Sequence, residues 1–349
     1  MIIRLPRNAQ IWLPGYFRRR LASLRLPPPR RLWVIFADHF EPLWRGAGPT
    51  LARERVQDWR ERWPRIAARI RDSVGNPPRW TFFYPEEEYW PELLEPLAEL
   101  TRAGIADVEV HIHHDGEGEQ HFLDRMRRFL EALAGRHGLL RRQNGRLLFG
   151  FIHGNWALDN SLPGGRYCGL NNEISLLRDL GCYADFTMPS APWPSQARMV
   201  NAIYWAVDDP QRPKSYDRGI PAAPGGGRRG DLLMIPGPLG LFWEAGPPHI
   251  ENGELGAHKP MTPTRARAWL RLAPQLGEDA FLKLFTHGAQ EAHRATLLGE
   301  ELDRVFGLLA AECKRRACQL RFATAWEAYQ VIEGIIGRDV VASPARNVL

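Results

Sequence analysis

The sequence predicts an α/β fold, either a (β/α) barrel or a doubly wound sheet, on two observations. Short apolar runs rich in β-branched and aromatic residues alternate with segments of helical periodicity at least six times. Polar, metal-capable side chains also stand where these runs end: Asp38 and His39, Glu86, His111 and His113, His153 and Asn155, Asp185, and His287. In both architectures the functional site lies at the carboxyl ends of the strands. The second observation therefore locates a site as well as a fold.

The elements follow in order. Pro27-Pro28-Pro29 closes an arginine-rich arm, and Leu32 to Ala37 is a buried strand that runs into Asp38-His39-Phe40-Glu41. Leu51, Val56, Trp59, Trp63, Ile66 and Ile70 fall at helical spacing across 51–72, with Pro64 predicting a kink or two segments. Trp80 to Tyr84 is the next strand, closing on Glu86-Glu87-Glu88, which reads as a solvated turn, as an acidic complement to the helix that begins at Pro91, or as part of the groove. After that helix comes Asp107-Val108-Glu109-Val110-His111-Ile112-His113-His114-Asp115. Alternation puts His111 and His113 on one face, roughly 6.5 Å apart at Cα, and His114 on the other or in the following turn.

A helix is expected over 117–137, with His121 and His137 as surface residues, then a strand over 146–152 ending in His153-Gly154-Asn155-Trp156. Asn171 or Asn172 caps a helix to Leu180, and the strand from Cys182 to Phe186 carries Asp185. From about 188 to 260, prolines and Gly225-Gly226-Gly227 predict a long irregular insertion with short strands near 202–207 and 232–235. Regular structure returns as a helix over 263–273 and a strand from Phe281 to Phe285 before His287. A long helix to Arg316, a strand over 319–322 and a last helix from Thr324 complete the expectation.

The organisation expected is a basic Pro/Arg-rich arm over 1–31, one (β/α) domain over 32–337 and a tail over 338–349. The arm dominates the charge: residues 1–37 hold eight arginines and no acid, and without those eight the net charge of +6 falls to about −2. Two contexts fit the arm: packing through Trp12 and Phe17, or peripheral contact with an anionic membrane. No recognition motif points to nucleic acid. No apolar run approaches the ~20 residues of a spanning helix, no cleavable leader is evident, and the four cysteines have no C-x-x-C spacing. A cytoplasmic, possibly membrane-peripheral location is the expectation.

In motif order, residues from Leu32 to Gly337 resemble the polysaccharide deacetylase (NodB-type, carbohydrate esterase family 4) superfamily. That resemblance implies a distorted (β/α)7 barrel. It matches Asp38-His39 to the family's opening pair, a general base followed by a metal ligand, and His111-Ile112-His113-His114-Asp115 to its two metal-binding histidines in an H-x-H variant. His153-Gly154-Asn155-Trp156 takes the place of the Arg-Pro segment that lines the groove, Asp185-Phe186 resembles the fourth motif, and Leu284-Phe285-Thr286-His287 resembles the fifth. The implied roles are base and acid for Asp38 and His287, metal ligation for His39, His111 and His113, and substrate binding for His153, Asn155, Trp156 and Asp185.

The residue chemistry agrees with that outline. Neutral imidazoles with an open position suit zinc, and also cobalt, nickel, manganese or iron. Such an ion lowers the pKa of bound water to about 7 and polarises a carbonyl. Asp38 can take the proton and His287 can return one to a leaving amine. Alternatives stay open at this point: Asp38 as a ligand, and His114 or Asp115 in place of His113. Trp193, Trp205 and Trp243 read as core, whereas Trp156 is placed to stack on a sugar. The expected activity is metal-dependent removal of an acyl group, N-acetyl first, from an acylated sugar or glycan. The competing readings are a metal-free glycosidase using Asp38 with Glu41 or Asp185, and a non-catalytic glycan-binding or scaffold protein of envelope polysaccharide assembly.

Overall fold

The computed structural model describes residues 6–244 and 246–337. Residues 1–5 of the basic arm and the expected tail over 338–349 lie outside the described residues. The chain forms a mixed α/β structure around a large, mostly parallel sheet. Ten of its strands are labelled here: β1 (Arg31–His39), β2 (Trp80–Pro85), β3 (Ala106–Ile112), β4 (Arg146–His153), β5 (Cys182–Asp185), β6 (Tyr204–Ala206), β7 (Gly219–Pro221), β8 (Leu232–Met234), β9 (Asp279–Thr286) and β10 (Gln319–Ala323). The order is β9-β1-β2-β3-β4-β5-β8-β6-β7. All neighbours from β9 to β8 run parallel, and β6 and β7 are antiparallel additions from the insertion. β10 pairs with the first half of β1 and β2 with its end, while β9 follows β1 from Arg31 to Asp38.

Parallel neighbours need crossovers, and helices supply most of them: α2 (Pro49–Arg69), α3 (Pro91–Arg102), α4 (Glu119–Glu131) and α5 (Glu173–Leu180) connect β1 through β5. Before them lies α1 (Ala9–Ser23), and after them come α6 (Pro263–Leu272), α7 (Glu291–Thr296), α8 (Leu302–Arg315) and α9 (Ala325–Ile336). Proline opens α2, α3 and α6 at the first turn, where its missing N–H costs nothing. α9 begins with a reciprocal capping box between Thr324 and Glu327. The predicted break at Pro64 does not divide α2, which continues from Pro49 to Arg69. The expected long helix to Arg316 is instead divided, because Gly299 leaves helical geometry between α7 and α8.

Alternation along the strands builds two cores. Val34 and Phe36 of β1, with Val108 and Val110 of β3, face the helices and pack with Trp59, Trp63 and Trp80. Ile35 and Ala37 face the other way, into a second, inner core with Phe83, Ile152, Phe186, Phe281 and the apolar side of α9. Each such fully buried aliphatic or Phe side chain contributes about 1.5–3 kcal/mol. Both faces are covered, which is why the parallel strands read as near-continuous apolar runs.

Residues from the arm form α1, which buries Trp12 and Tyr16 against Val200, Leu239, Ala268 and Leu272. Phe17, Leu21 and Leu24 remain exposed among its arginines. Among the described residues, no helix is long and apolar enough to cross a membrane. The four cysteines are all free and buried. No ladder joins β8 to β9 among the described residues. Residues 251–256 run beside β9, where Phe285 N–H donates to Gly253 O at 3.0 Å and Leu255 N–H donates to Phe285 O at 2.8 Å.

Candidate metal centre

The register of the strand ends decides which polar side chains meet. His39 lies opposite Phe83 of β2, a member of the inner core. His111 lies opposite Ile152 of β4, also an inner-core residue. The inner face therefore collects His39, His111 and His113, and His287 joins them just beyond β9. The ring of His39 is 5.1 Å from that of His111 and 4.9 Å from that of His287, and the rings of His111 and His113 are 4.6 Å apart. Glu41 completes the group: its Oε1 is 3.6 Å from His111 Nε2 and 3.3 Å from His113 Nε2.

The cluster is largely buried, and two of its nitrogens lack partners. Nε2 of His39 and Nε2 of His111 are buried without a hydrogen-bond partner, and an unpaired buried nitrogen costs free energy. Ile152 O accepts from His111 Nδ1 at 2.9 Å, which leaves Nε2 as the lone-pair nitrogen. Burial, with His287 next, holds His39 well below the ordinary histidine pKa, so its ring is neutral. Burial alone would raise Glu41, but His111 and His113 hold its carboxyl well below the usual range. His113 is opposed by burial and yet held up to about 10 by Glu41 and Glu87. In the metal-free protein it is an imidazolium between two carboxylates. Burial lowers His287.

Asp38 is turned away from this cluster. It lies opposite Phe82 and Thr286 on the helix-facing side, where its two oxygens accept from Gly288 N at 2.6 Å and Trp80 Nε1 at 3.0 Å. Burial pushes its carboxyl up to about 7. Strand alternation separates it from its neighbour His39. His153 also faces the helices, because it lies opposite Ile112, and it meets His114, Cys168 and Glu173 there. Asp185 lies opposite Phe151 of β4 and Met234 of β8, both in the helix-facing core, and Thr187 N–H and Oγ1–H donate to it at 3.0 and 2.6 Å. Asp115 accepts from Tyr167 N at 2.8 Å, outside both histidine groups.

Trp156 and Asn155 follow β4 in left-handed backbone, a strained arrangement for a tryptophan. Trp156 is 5.8 Å ring to ring from His39 and walls a groove of 330 Å³ with Pro189, Trp193, Asn252, Glu254 and Lys259. Asn155 is exposed. Trp193 and Trp243, expected in the core, are exposed, whereas Trp205 is buried. His121 is exposed as expected, but His137 is buried against Tyr89.

Glu41 enters the sequence reading only as a glycosidase carboxylate and Glu87 only within an acidic turn, yet both meet the histidine cluster. Glu41 stands two positions after His39, the same i, i+2 spacing as His111 and His113, and that spacing was the available signal. Glu87, read as part of a solvated turn, reaches Nδ1 of His113. No sequence spacing links Cys168 to His114 and His153. The molecule is thus an α/β protein with buried His/Glu and His/Cys/Glu clusters, each able to hold a metal ion. No protein-family model matches this chain, and no match to it is found among curated proteins.

Proposed function

We propose that the inner-face cluster binds a divalent metal ion, zinc in preference to cobalt, nickel, manganese or iron, and that the protein hydrolyses an acyl group, N-acetyl first, from a sugar or glycan precursor. The observation that carries this reading is the pair of buried, unpartnered Nε2 atoms on His39 and His111 beside the Glu41 carboxylate. Trp156 and Phe285, whose rings lie 5.8 and 6.0 Å from that of His39, wall a groove. A distorted (β/α) barrel is the fold proposed, with residues 251–256 filling the wall between β8 and β9.

His39, His111 and His113 would hold the ion. Once bound, it would polarise an acyl carbonyl and acidify water at the site. The chain's own groups do the rest. Glu41, whose Oε1 lies 3.6 Å from His111 Nε2 and 3.3 Å from His113 Nε2, takes a proton from the attacking water, the task expected of Asp38. The water oxygen bonds to the acyl carbon as the carbon–nitrogen bond breaks, and His287, which burial keeps neutral at rest, relays the proton taken up by Glu41 to the departing nitrogen. Glu87 fixes the His113 ring through Nδ1, and Trp156 offers its face to the sugar.

Metal analysis and acetate release test this reading together. Zinc-loaded protein is expected to release acetate from N-acetylated sugars. His111→Ala should lose one metal equivalent and at least about 100-fold of the rate. Equal turnover by chelated protein, or by His111→Ala, would reject the hydrolytic-metal reading.

A further inference from the structure

A second group of metal-capable side chains lies on the opposite face of the sheet, outside the chemistry just described. His114 follows β3, His153 ends β4, Cys168 lies in the loop before α5, and Glu173 is the first residue of α5. All four are buried; His153, Cys168 and Glu173 are 0% exposed and His114 is 6% exposed. One donor atom from each lies within 4.8 Å of all the others. Glu173 Oε1 is 3.1 Å from His114 Nε2 and 3.4 Å from His153 Nε2, and Cys168 Sγ is 3.4 Å from Glu173 Oε2.

We propose that His114, His153, Cys168 and Glu173 form a closed four-ligand zinc site that joins β3, β4 and α5. The hydrogen-bond pattern calls for a cation. His153 Nδ1 donates to Gly154 O at 2.6 Å, which leaves Nε2 as a lone pair. That lone pair is buried and unpartnered, and it faces a carboxylate oxygen that can only accept. A cation placed among the four donors resolves this conflict.

Gly154 O fixes the His153 ring, and Glu117 Oε2 lies 3.3 Å from His114 Nδ1, outside hydrogen-bonding geometry but close enough to orient a metal-bound imidazole. Leu170 N–H points at Cys168 Sγ from 3.5 Å, a donor suited to a thiolate. Glu173 Oε2 is held by Asp159 N–H at 2.7 Å. Two neutral imidazoles, one thiolate and one carboxylate balance a divalent charge, with the Cys168 proton released on binding. Mixed nitrogen and sulfur donors favour zinc among the common divalent ions, and four buried protein ligands leave no open position, as in structural zinc sites.

Gly169 explains how the loop reaches this position. Its φ is +114°, and a Cβ there would lie 2.6 Å from Glu117 N, so only glycine lets the Cys168 loop pass so close to the end of β3.

Cobalt provides a test specific to this site, because the inner cluster contains no sulfur. The full chain loaded with Co²⁺ should show a sulfur-to-cobalt charge-transfer band at one equivalent, and Cys168→Ser should abolish it. Zinc content should fall by one equivalent in Cys168→Ser and, independently, by one in His111→Ala. Glu117→Gln, which keeps every ligand, should weaken zinc at this site by about 10-fold to 100-fold. The wild-type spectrum needs no variant, so misfolding of a mutant cannot hide the answer. Cobalt bound without a sulfur band, or unchanged zinc content in folded Cys168→Ser, overturns the proposal.

Discussion

Asp38 and His39 are adjacent in the chain and serve opposite sides of the sheet. His39 presents an unpartnered nitrogen to the inner cluster, whereas Asp38 ties Gly288 N–H and Trp80 Nε1–H beneath the helices. Truncating Asp38 therefore tests structure more than chemistry. Asp38→Ala strands two buried donors, each at a cost of about 1–3 kcal/mol. Its unfolding midpoint in urea should drop while its zinc content stays at the wild-type value. Loss of metal with no loss of stability would restore Asp38 to the site. The histidines differ from one another in the same way: His113 and His114 are adjacent, and one meets Glu41 and the other Glu173.

Among the elements, the turn that ends β4 links the two clusters. His153 points to the helices, Gly154 follows, and Asn155 and Trp156 turn back over the inner face in left-handed conformation. Gly154 is required by close approach: a Cβ there would stand 2.2 Å from His113 Cδ2 and 2.7 Å from Ile112 O. Neither a backbone oxygen nor a ring held by Glu87 can retreat cheaply. Gly154→Ala should displace His113 and weaken zinc at the inner cluster by about 10-fold to 100-fold, with the Co–thiolate band at Cys168 retained. Titration with zinc in the presence of a competing chelator reads this directly. Unchanged affinity would remove His113 from the ligand set.

At the scale of the whole molecule, a buried lysine couples stability to pH. Lys283 extends into the inner core and donates to Phe186 O at 2.8 Å. Burial pushes its pKa down to about 7, against the ordinary 10.5. Between these values the unfolded chain holds a proton that the folded chain lacks. Stability therefore rises with pH across that window, by up to about 1.4 kcal/mol per unit, and the cost of the buried charge is fully present below it. Asp185 nearby acts in the opposite sense, because burial lifts its carboxyl to about 7: the folded chain keeps a proton that the unfolded chain has released, so stability falls as pH rises from about 4 to 7. His113, held up to about 10, and Glu109 and Asp159, lifted by burial to about 8, slope the other way, so the contribution is read as a difference: in urea unfolding at pH 7, 8 and 9 the stability of the wild type relative to Lys283→Met should rise with pH. The same slope in Lys283→Met would assign it to another group.

Most of the strand and helix sequence was legible in one dimension, because hydrophobic periodicity and proline and glycine punctuation report local geometry. The exception was a place where packing overrode a local signal: α2 runs through Pro64. The arm packs through Trp12, as one of its two expected contexts has it, but with Tyr16 rather than Phe17 as the second buried ring. The candidate site was half legible. His39, His111, His113, Trp156 and His287 were visible as polar strand ends, and they do converge. By itself the sequence determined which side chains stand at strand ends, since the two-residue period of a strand is a local property. Only the tertiary structure decided which face each one joins and what it meets there. Inter-strand register, set by packing across the whole sheet, sends Asp38, His114 and His153 one way and His39, Glu41 and His111 the other. The loop that brings Cys168 to Glu173 and His153 joins residues whose nearness no spacing records.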